Sequence, residues 1–283
     1  MSILNKYHTA KNYILFLLSG KKAVYGDIPY SKEKVEYSFI EKGIIPVPYF
    51  LDVAAYREFV EKARYPAGEY GDYFAEKSLE HFISFQFSNL TEQSLVVDVA
   101  NAGSAFPQLI HDLFGCKVIS NDLAFPPGEI ALENWHIRTG CNASNLPLED
   151  ESVDLITLHC ALEMFEGEDD KNLAIEASRI LKPNGKLVII PLYMNEVHHI
   201  FRDPINPRKI QPEIDEGSVL IYRKNFWNIA FARFYSVDSF CTRFLANVKD
   251  TMTFNLFKII NTESADKNIY LFWIGVFEKS PTV

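Results

Sequence analysis

The sequence predicts a doubly wound α/β fold with a mostly parallel sheet, and two observations carry that expectation. Leu95-Val96-Val97-Asp98-Val99 is a short, nearly all-apolar run of the kind buried on both faces of a parallel sheet. From there to Leu192, such runs alternate with helical stripes. After the first strand, Pro107 sits near a helix start, and Leu109, Ile110, Leu113 and Phe114 share one helical face before Gly115 stops it. Lys117 to Ser120, Trp135 to Arg138 and Val153 to Leu158 read as the next three strands. Leu173, Ala177, Ile180 and Leu181 mark another helix, ended by Pro183 and Gly185, and Lys186 to Leu192 reads as a fifth strand.

The flanks differ in texture. Residues 1–90 are rich in aromatics and mixed charge, with helical spacing clearest at Ala75, Leu79, Phe82 and Ile83, and are expected to form an N-terminal helical cap. Residues 91–283 then form the core domain. Its rhythm is lost at about 193–250, where Pro204, Pro207 and Pro212, the run Ser218 to Arg223 and a helix Val237 to Leu245 suggest a lid or substrate wall. Thr251 to Ile260 and Ile269 to Glu278 are β-like runs around a polar turn, which fits a C-terminal antiparallel hairpin at a sheet edge.

Composition narrows the function. With 48% hydrophobic and 23% charged residues among 283, the chain is an ordinary folded protein. Its 37 acids outweigh 28 bases, and a net charge of −9 repels a nucleic-acid backbone or an anionic bilayer unless a local patch reverses it. No nucleic-acid partner is expected. Cys116, Cys141, Cys160 and Cys241 lack the close spacing of a zinc or redox pair and read as reduced thiols of a cytoplasmic protein. The early apolar stretch Tyr13 to Leu18 is too short to direct secretion or to span, and no run approaches the roughly 18 residues a membrane helix needs. A cytoplasmic protein without an integral membrane span follows, and peripheral membrane contact stays open.

In an open α/β sheet, ligands bind beyond the carboxyl ends of the strands. Three such ends stand out. Asp98 is followed by Val99-Ala100-Asn101-Ala102-Gly103-Ser104, small residues that let backbone amides approach a ligand. Asp122 ends the second strand, where an acid can accept both hydroxyl protons of a ribose. Asn142-Ala143 follows the third strand and precedes Leu146-Pro147.

With these residues in place, the chain resembles class I S-adenosylmethionine-dependent methyltransferases, especially the branch that includes quinone-biosynthetic and sugar methyltransferases. The resemblance spans about Leu95 to Leu192. It rests on Gly140-Cys-Asn-Ala-Ser-Asn-Leu-Pro-Leu-Glu-Asp-Glu-Ser-Val-Asp-Leu-Ile, on Ala161-Leu-Glu163-Met, and on Glu176-Ala-Ser-Arg-Ile-Leu-Lys-Pro-Asn-Gly185. It implies a seven-stranded Rossmann-like sheet with S-adenosylmethionine as cofactor. It also implies that Asp98, Ala100, Asn101, Ala102 and Gly103 surround the methionine part, that Asp122 holds the ribose, that Leu123 stacks on the base and that Asn142 with Ala143 borders the adenine. The sequence departs from the family's glycine-rich first loop, with Ala100, Ala102 and Ser104 where glycines are usual and Gly103 one place off. A methyl group there is tolerated at negative φ and costs more in a left-handed conformation. Asn142 replaces the family's acid and Met164 its frequent histidine.

Methyl transfer is an in-line displacement, so the protein mainly aligns acceptor and donor. A hydroxyl or amine acceptor on a small molecule or glycan also needs a base, and His159, Glu163, Tyr193 and His198 stand at the relevant strand ends, with His198 or Glu163 preferred. Each has a plainer reading: His159 as a hydrogen-bonded core histidine, Glu163 as a helix cap. Adjacent His198 and His199 point oppositely on an extended chain, so no metal is expected. Tyr73, Phe74 and Lys77 lie where a gate over the cofactor would stand, or simply pack. The competing expectation is a non-catalytic methyltransferase-like scaffold that binds a partner or the cofactor. A nicotinamide-dependent dehydrogenase is disfavoured because no Gly-x-Gly-x-x-Gly follows the first strand.

Overall fold

A computed structural model describes residues 3–25, 28–209, 211–224 and 229–281. Residues 3–86 contribute helices α1 (Ile3–Leu18), α2 (Lys32–Glu41), α3 (Val53–Lys62) and α4 (Phe74–Gln86), with short strands β1 (Ala23–Val24) and β2 (Val47–Phe50) between them. Local chemistry sets two of the starts. Ser31 accepts from Lys34 N at 3.2 Å and Asp52 from Ala55 N at 3.0 Å, each satisfying an amide that the first helical turn leaves open.

The alternating region follows the expected order: β3 (Leu95–Val99), α5 (Phe106–Phe114), β4 (Lys117–Asn121), β5 (Glu129–Ala131), β6 (His136–Thr139), β7 (Val153–His159), α6 (Asp169–Ile180) and β8 (Leu181–Ile190). Gly115, at φ 71°, closes α5 in the left-handed conformation that glycine adopts most easily. Then come β9 (His199–Arg202), β10 (Val219–Arg223), β11 (Ala232–Phe234), α7 (Val237–Arg243), β12 (Met252–Ile260) and β13 (Trp273–Lys279).

The main sheet has nine strands, not seven, in the order β2-β12-β13-β8-β7-β3-β4-β6-β5. The two extra strands are its edges. The short β5 folds back antiparallel on β6, and β2, from the N-terminal segment, pairs parallel to β12. The antiparallel pair β12/β13 is therefore present but lies between β8 and β2 instead of at the sheet edge. Sequence patterning missed β2 because Val47-Pro48-Tyr49-Phe50 offers only four residues and a proline, which reads as a turn.

Strand side chains alternate between two cores, as the period of two demands. Val97, Val99, Ile156, Leu158, Leu187 and Ile189 face one layer with Leu173, Ala177 and Ile180 of α6. Val96, Leu155, Val188 and Ile190 face the other, with Leu79 and Ile83 of α4 and Leu109 and Ile110 of α5.

The segment after β8, joined by β1 from the N-terminal segment, builds a second sheet ordered β1-β10-β9-β11. Arg233 of β11, with a side chain 0% exposed, fastens it to the core. Its guanidinium donates to both Asp215 oxygens at 2.7 and 2.8 Å and to the carbonyls of Phe165 and Gly167 at 2.6 and 3.0 Å. It also pairs with Asp170 at 3.1 Å, in the first turn of α6, to which Tyr235 donates at 2.8 Å. Against the opposing effect of burial, hydrogen bonds from His198 and Arg233 and the charges of Arg233 and Arg243 hold the Asp215 carboxyl well below the usual carboxylate range. Removing one partner of a buried charge network leaves the others unpaired, so Arg233→Ala is expected to lower stability by about 3–5 kcal/mol. Chemical denaturation checks this, and a loss near zero refutes the anchoring role.

Candidate active site

A cavity of about 290 Å³ opens at the carboxyl ends of β3 and β7, between the loop 98–104, His159 and Cys160, and the α4 residues Lys77 and His81. Its floor is set by Asp98, which is 1% exposed. One carboxylate oxygen accepts from Thr157 Oγ1 at 2.8 Å and faces His159 Nδ1 at 3.2 Å, and the other accepts from the Asn101 side-chain amide. A single buried acid thus joins strands β3 and β7 to the loop.

The loop itself is bent against its side chains. Ala100 at φ 54° and Ala102 at φ 50° are both left-handed, as is Gly103 at φ 81°. This is the costlier of the two conformations open to the alanines, and together the two methyl groups store strain of roughly 1–2 kcal/mol each. The chain is held there by side-chain hydrogen bonds. Asn101 Oδ1 accepts from Gly103 N at 3.0 Å, Asn101 Nδ2 donates to Ser104 Oγ at 2.9 Å, and Asp122 Oδ2 accepts from Ala102 N at 2.8 Å. From the N-terminal segment, Tyr70 places its hydroxyl over the loop and accepts from Ala105 N at 3.1 Å.

Asp122 stands at the end of β4, and its second oxygen accepts from Ala124 N at 2.7 Å. A carboxylate offers about four lone-pair sites, so two remain for further donors. Leu123 beside it is 74% exposed. Asn142 is tied by its oxygen to Ser144 N at 2.9 Å and by its amide to Asp169 at 3.2 Å, and Ala143 is buried. Asp98, Ala100, Asn101, Ala102 and Gly103 line the cavity, whereas Asp122, Leu123, Asn142 and Ala143 stand outside its walls at the ends of β4 and β6. Gly140, just after β6, has no room for a side chain because a Cβ there would lie 2.1 Å from the Pro126 carbonyl.

On the far side of the cavity, Lys77 and Cys160 belong to a polar cluster whose other members, Glu80, Glu163, Tyr193 and Tyr270, are not among the residues that line it. Lys77 Nζ binds both oxygens of Glu80, at 2.9 and 3.1 Å, and Glu80 Oε1 accepts from Cys160 Sγ at 3.2 Å. The hydroxyls of Tyr193 and Tyr270 lie 3.5 and 3.6 Å from the same sulfur. Burial pushes the Glu80 carboxyl up to about 8 despite the opposing Lys77, and pushes Glu163, in the 3-10 turn Leu162–Met164, up to about 7. One Glu163 oxygen, Oε2, is buried without a hydrogen-bond partner among the described residues. Burial and then the Glu80 carboxylate raise the Cys160 thiol well above its ordinary value, so it is no nucleophile.

The expected bases separate here. His159 lines the cavity, but its two ring nitrogens are held by Asp98 and by Ser84 Oγ at 2.9 Å. His198 is not in the cavity wall: its Nε2 lies 2.8 Å from Asp215 and its Nδ1 2.9 Å from Ser239 Oγ, within the network around Arg233. Glu163 also stands outside the cavity lining, but among these expected bases it keeps a buried oxygen without a partner among the described residues, as Glu76 of α4 does too. Of the three gate residues, Lys77 lines the cavity, and Phe74 packs edge-on against Tyr65 with centroids 5.1 Å apart. Glu80, His81 and Tyr270 were not singled out from sequence, although Lys77, Glu80, His81 and Ser84 follow helical spacing as a polar stripe opposite Leu79, Phe82 and Ile83.

Residues 97–189 match the family described as methyltransferase domain. No curated protein matches the chain. Among solved structures, it is similar to Burkholderia thailandensis 1,6-didemethyltoxoflavin-N1-methyltransferase, at 12% identity over 92% of this chain and 95% of that one with a TM-score of 0.49. It is also similar to Streptomyces coelicolor geranyl diphosphate C-methyltransferase, at 12% identity over 99% of each chain with a TM-score of 0.42. A third is a Methanosarcina mazei S-adenosylmethionine-dependent methyltransferase, at 15% identity over 71% of this chain and 98% of that one with a TM-score of 0.44.

Two outcomes test this geometry. Ala100→Gly and Ala102→Gly are each expected to raise stability by about 1 kcal/mol by relieving a left-handed methyl group, and thermal melting reads it. Unchanged or lower midpoints in both would mean that the loop is not strained. Asp122→Ala is expected to weaken S-adenosylmethionine binding by about 1–3 kcal/mol in calorimetry, through lost charge-assisted bonds to ribose and loosening of the Ala102 amide. Unchanged affinity removes Asp122 from the cofactor site.

Proposed function

We propose that this S-adenosylmethionine-dependent methyltransferase methylates a hydroxyl or amine of a small molecule or glycan seated against Lys77 and Cys160 and the phenols of Tyr193 and Tyr270 beside Cys160, with Glu163 taking the acceptor's proton. The observation that carries the proposal is the buried, partnerless Oε2 of Glu163, within electrostatic reach of Lys77, Cys160 and Tyr193. A buried acceptor atom left without a partner costs about 1–3 kcal/mol and persists where something else makes use of it.

The residues of the first wall fit the cofactor. Two free lone-pair sites on Asp122 suit the two hydroxyls of a ribose, and exposed Leu123 suits the face of a base. Ala100 to Gly103 turn backbone and methyl groups, with little polar bulk, toward the methionine part, and Asn142 with Ala143 would border the adenine. When bound, S-adenosylmethionine supplies an electrophilic methyl group on a positively charged sulfonium. The protein's own work is then alignment and proton removal. Asp98 keeps the loop fixed, Tyr70 covers it from the N-terminal side, and His159, held at both nitrogens, acts as a rigid wall. Lys77 and the phenols of Tyr193 and Tyr270, which burial keeps protonated, donate toward the acceptor. Excluding water from this cluster strengthens each of these bonds.

Glu163 must be ionised to accept a proton, so kcat is expected to rise with pH and level off above about 7. Glu163→Gln should lower kcat on the order of 100-fold and flatten that profile while leaving cofactor affinity unchanged. A variant with parental turnover and pH dependence would exclude Glu163 as the base.

A further inference from the structure

Helix α1 has one face seated on the second sheet and one face bare. Inward, Phe16 is buried against Tyr222 with ring centroids 4.8 Å apart, and the Asn12 amide donates to the carbonyls of Asn206 and Arg208 at 2.5 and 2.9 Å. At 3.6 residues per turn, Leu4, Tyr7, Lys11, Ile14, Leu15 and Leu18 gather on the other side. The five apolar members are 63%, 60%, 55%, 54% and 78% exposed. Singly exposed apolar side chains are common, but a contiguous stripe of this kind marks a contact surface.

Charge selects the partner. Lys6, Lys11, Lys21 and Lys22 lie in the first 25 residues, which contain no acid, in a chain whose net charge is −9. Beside the helix, Lys224 extends the basic rim, with its ammonium 5.7 Å from the ring of Tyr13 and 5.5 Å from that of Tyr25. Among the described residues no helix is long and apolar enough to cross a membrane, but a helix can lie in a membrane interface at this length. Pairing with a second copy about a two-fold axis would set Lys11 inside an apolar seam near its own counterpart. At a bilayer the same side chain extends up to the phosphates.

We infer that α1 docks this enzyme on an anionic lipid surface, with Leu4, Tyr7, Ile14, Leu15 and Leu18 in the headgroup boundary and the lysines at phosphate level. The patch reverses, over one helix, the repulsion that the overall charge imposes.

Co-sedimentation of the full chain with vesicles tests it. Binding to phosphatidylcholine vesicles containing about 30% phosphatidylglycerol should exceed binding to pure phosphatidylcholine by about tenfold or more, and should fall with added salt. Ile14→Glu combined with Leu18→Glu should abolish it while leaving the melting temperature and cofactor affinity unchanged. Lys11→Glu combined with Lys22→Glu, which spares the apolar stripe, should weaken it about tenfold and blunt its salt dependence. Failure to bind anionic vesicles, or equal binding to both kinds, overturns the inference. So does a dimer in sedimentation velocity that the Ile14/Leu18 variant dissolves in the absence of lipid binding, because the face would then join two copies.

Discussion

The buried carboxylate of Asp98 is the constraint on which the site depends. An unpaired charge at that depth would be prohibitively costly, so the fold must supply donors, and it draws them from the loop that follows β3 and from β7. Strand adjacency and loop shape are thereby made conditions of one another. On the loop side of the cavity this exchange ties Asp98, Asn101 and Ser104 to one another, and Lys77 and His81 of α4 face them across the opening. The same economy governs the opposite wall, where Glu80 is held by Lys77 and Cys160.

Most of the sheet was legible in the sequence because strands buried on both faces must be apolar throughout. Leu95–Val99 and Val153–His159 announce themselves in this way, and α5 and α6 are marked by the stripes they present to those strands. What escaped was held by tertiary partners instead of local pattern. Strand β2 forms because β12 offers it a ladder, and β9 was hidden by the polar pair His198-His199. The boundary of the fifth strand shifted from Lys186–Leu192 to Leu181–Ile190, since Leu181 pairs with Val153 and Pro191 has no N–H to continue the ladder.

The site was legible in its chain order but not in its partnerships. Asp98, Asp122 and Asn142 could be placed at strand ends from spacing alone. Which histidine was engaged could not be, because the bonds of His198 to Asp215 and Ser239 span 17 and 41 residues. Spacing likewise carries no information on φ, so the alanines of the first loop revealed their strain only through the backbone. Two left-handed alanines separated by one residue, where glycine would be easier, argue that the bend is required by something other than stability.

The parallel pairing of β2 with β12 has a consequence for biosynthesis. Val47 to Phe50 leave the ribosome early, yet the ladder they join is supplied by Phe257 to Ile260. Tyr270, whose hydroxyl lies beside Cys160, emerges later still. Strand β2 therefore waits for its ladder until some two hundred further residues have been made. Loss of the stretch from Phe257 to Tyr270 takes away the mate of β2 together with the phenol that stands beside Cys160.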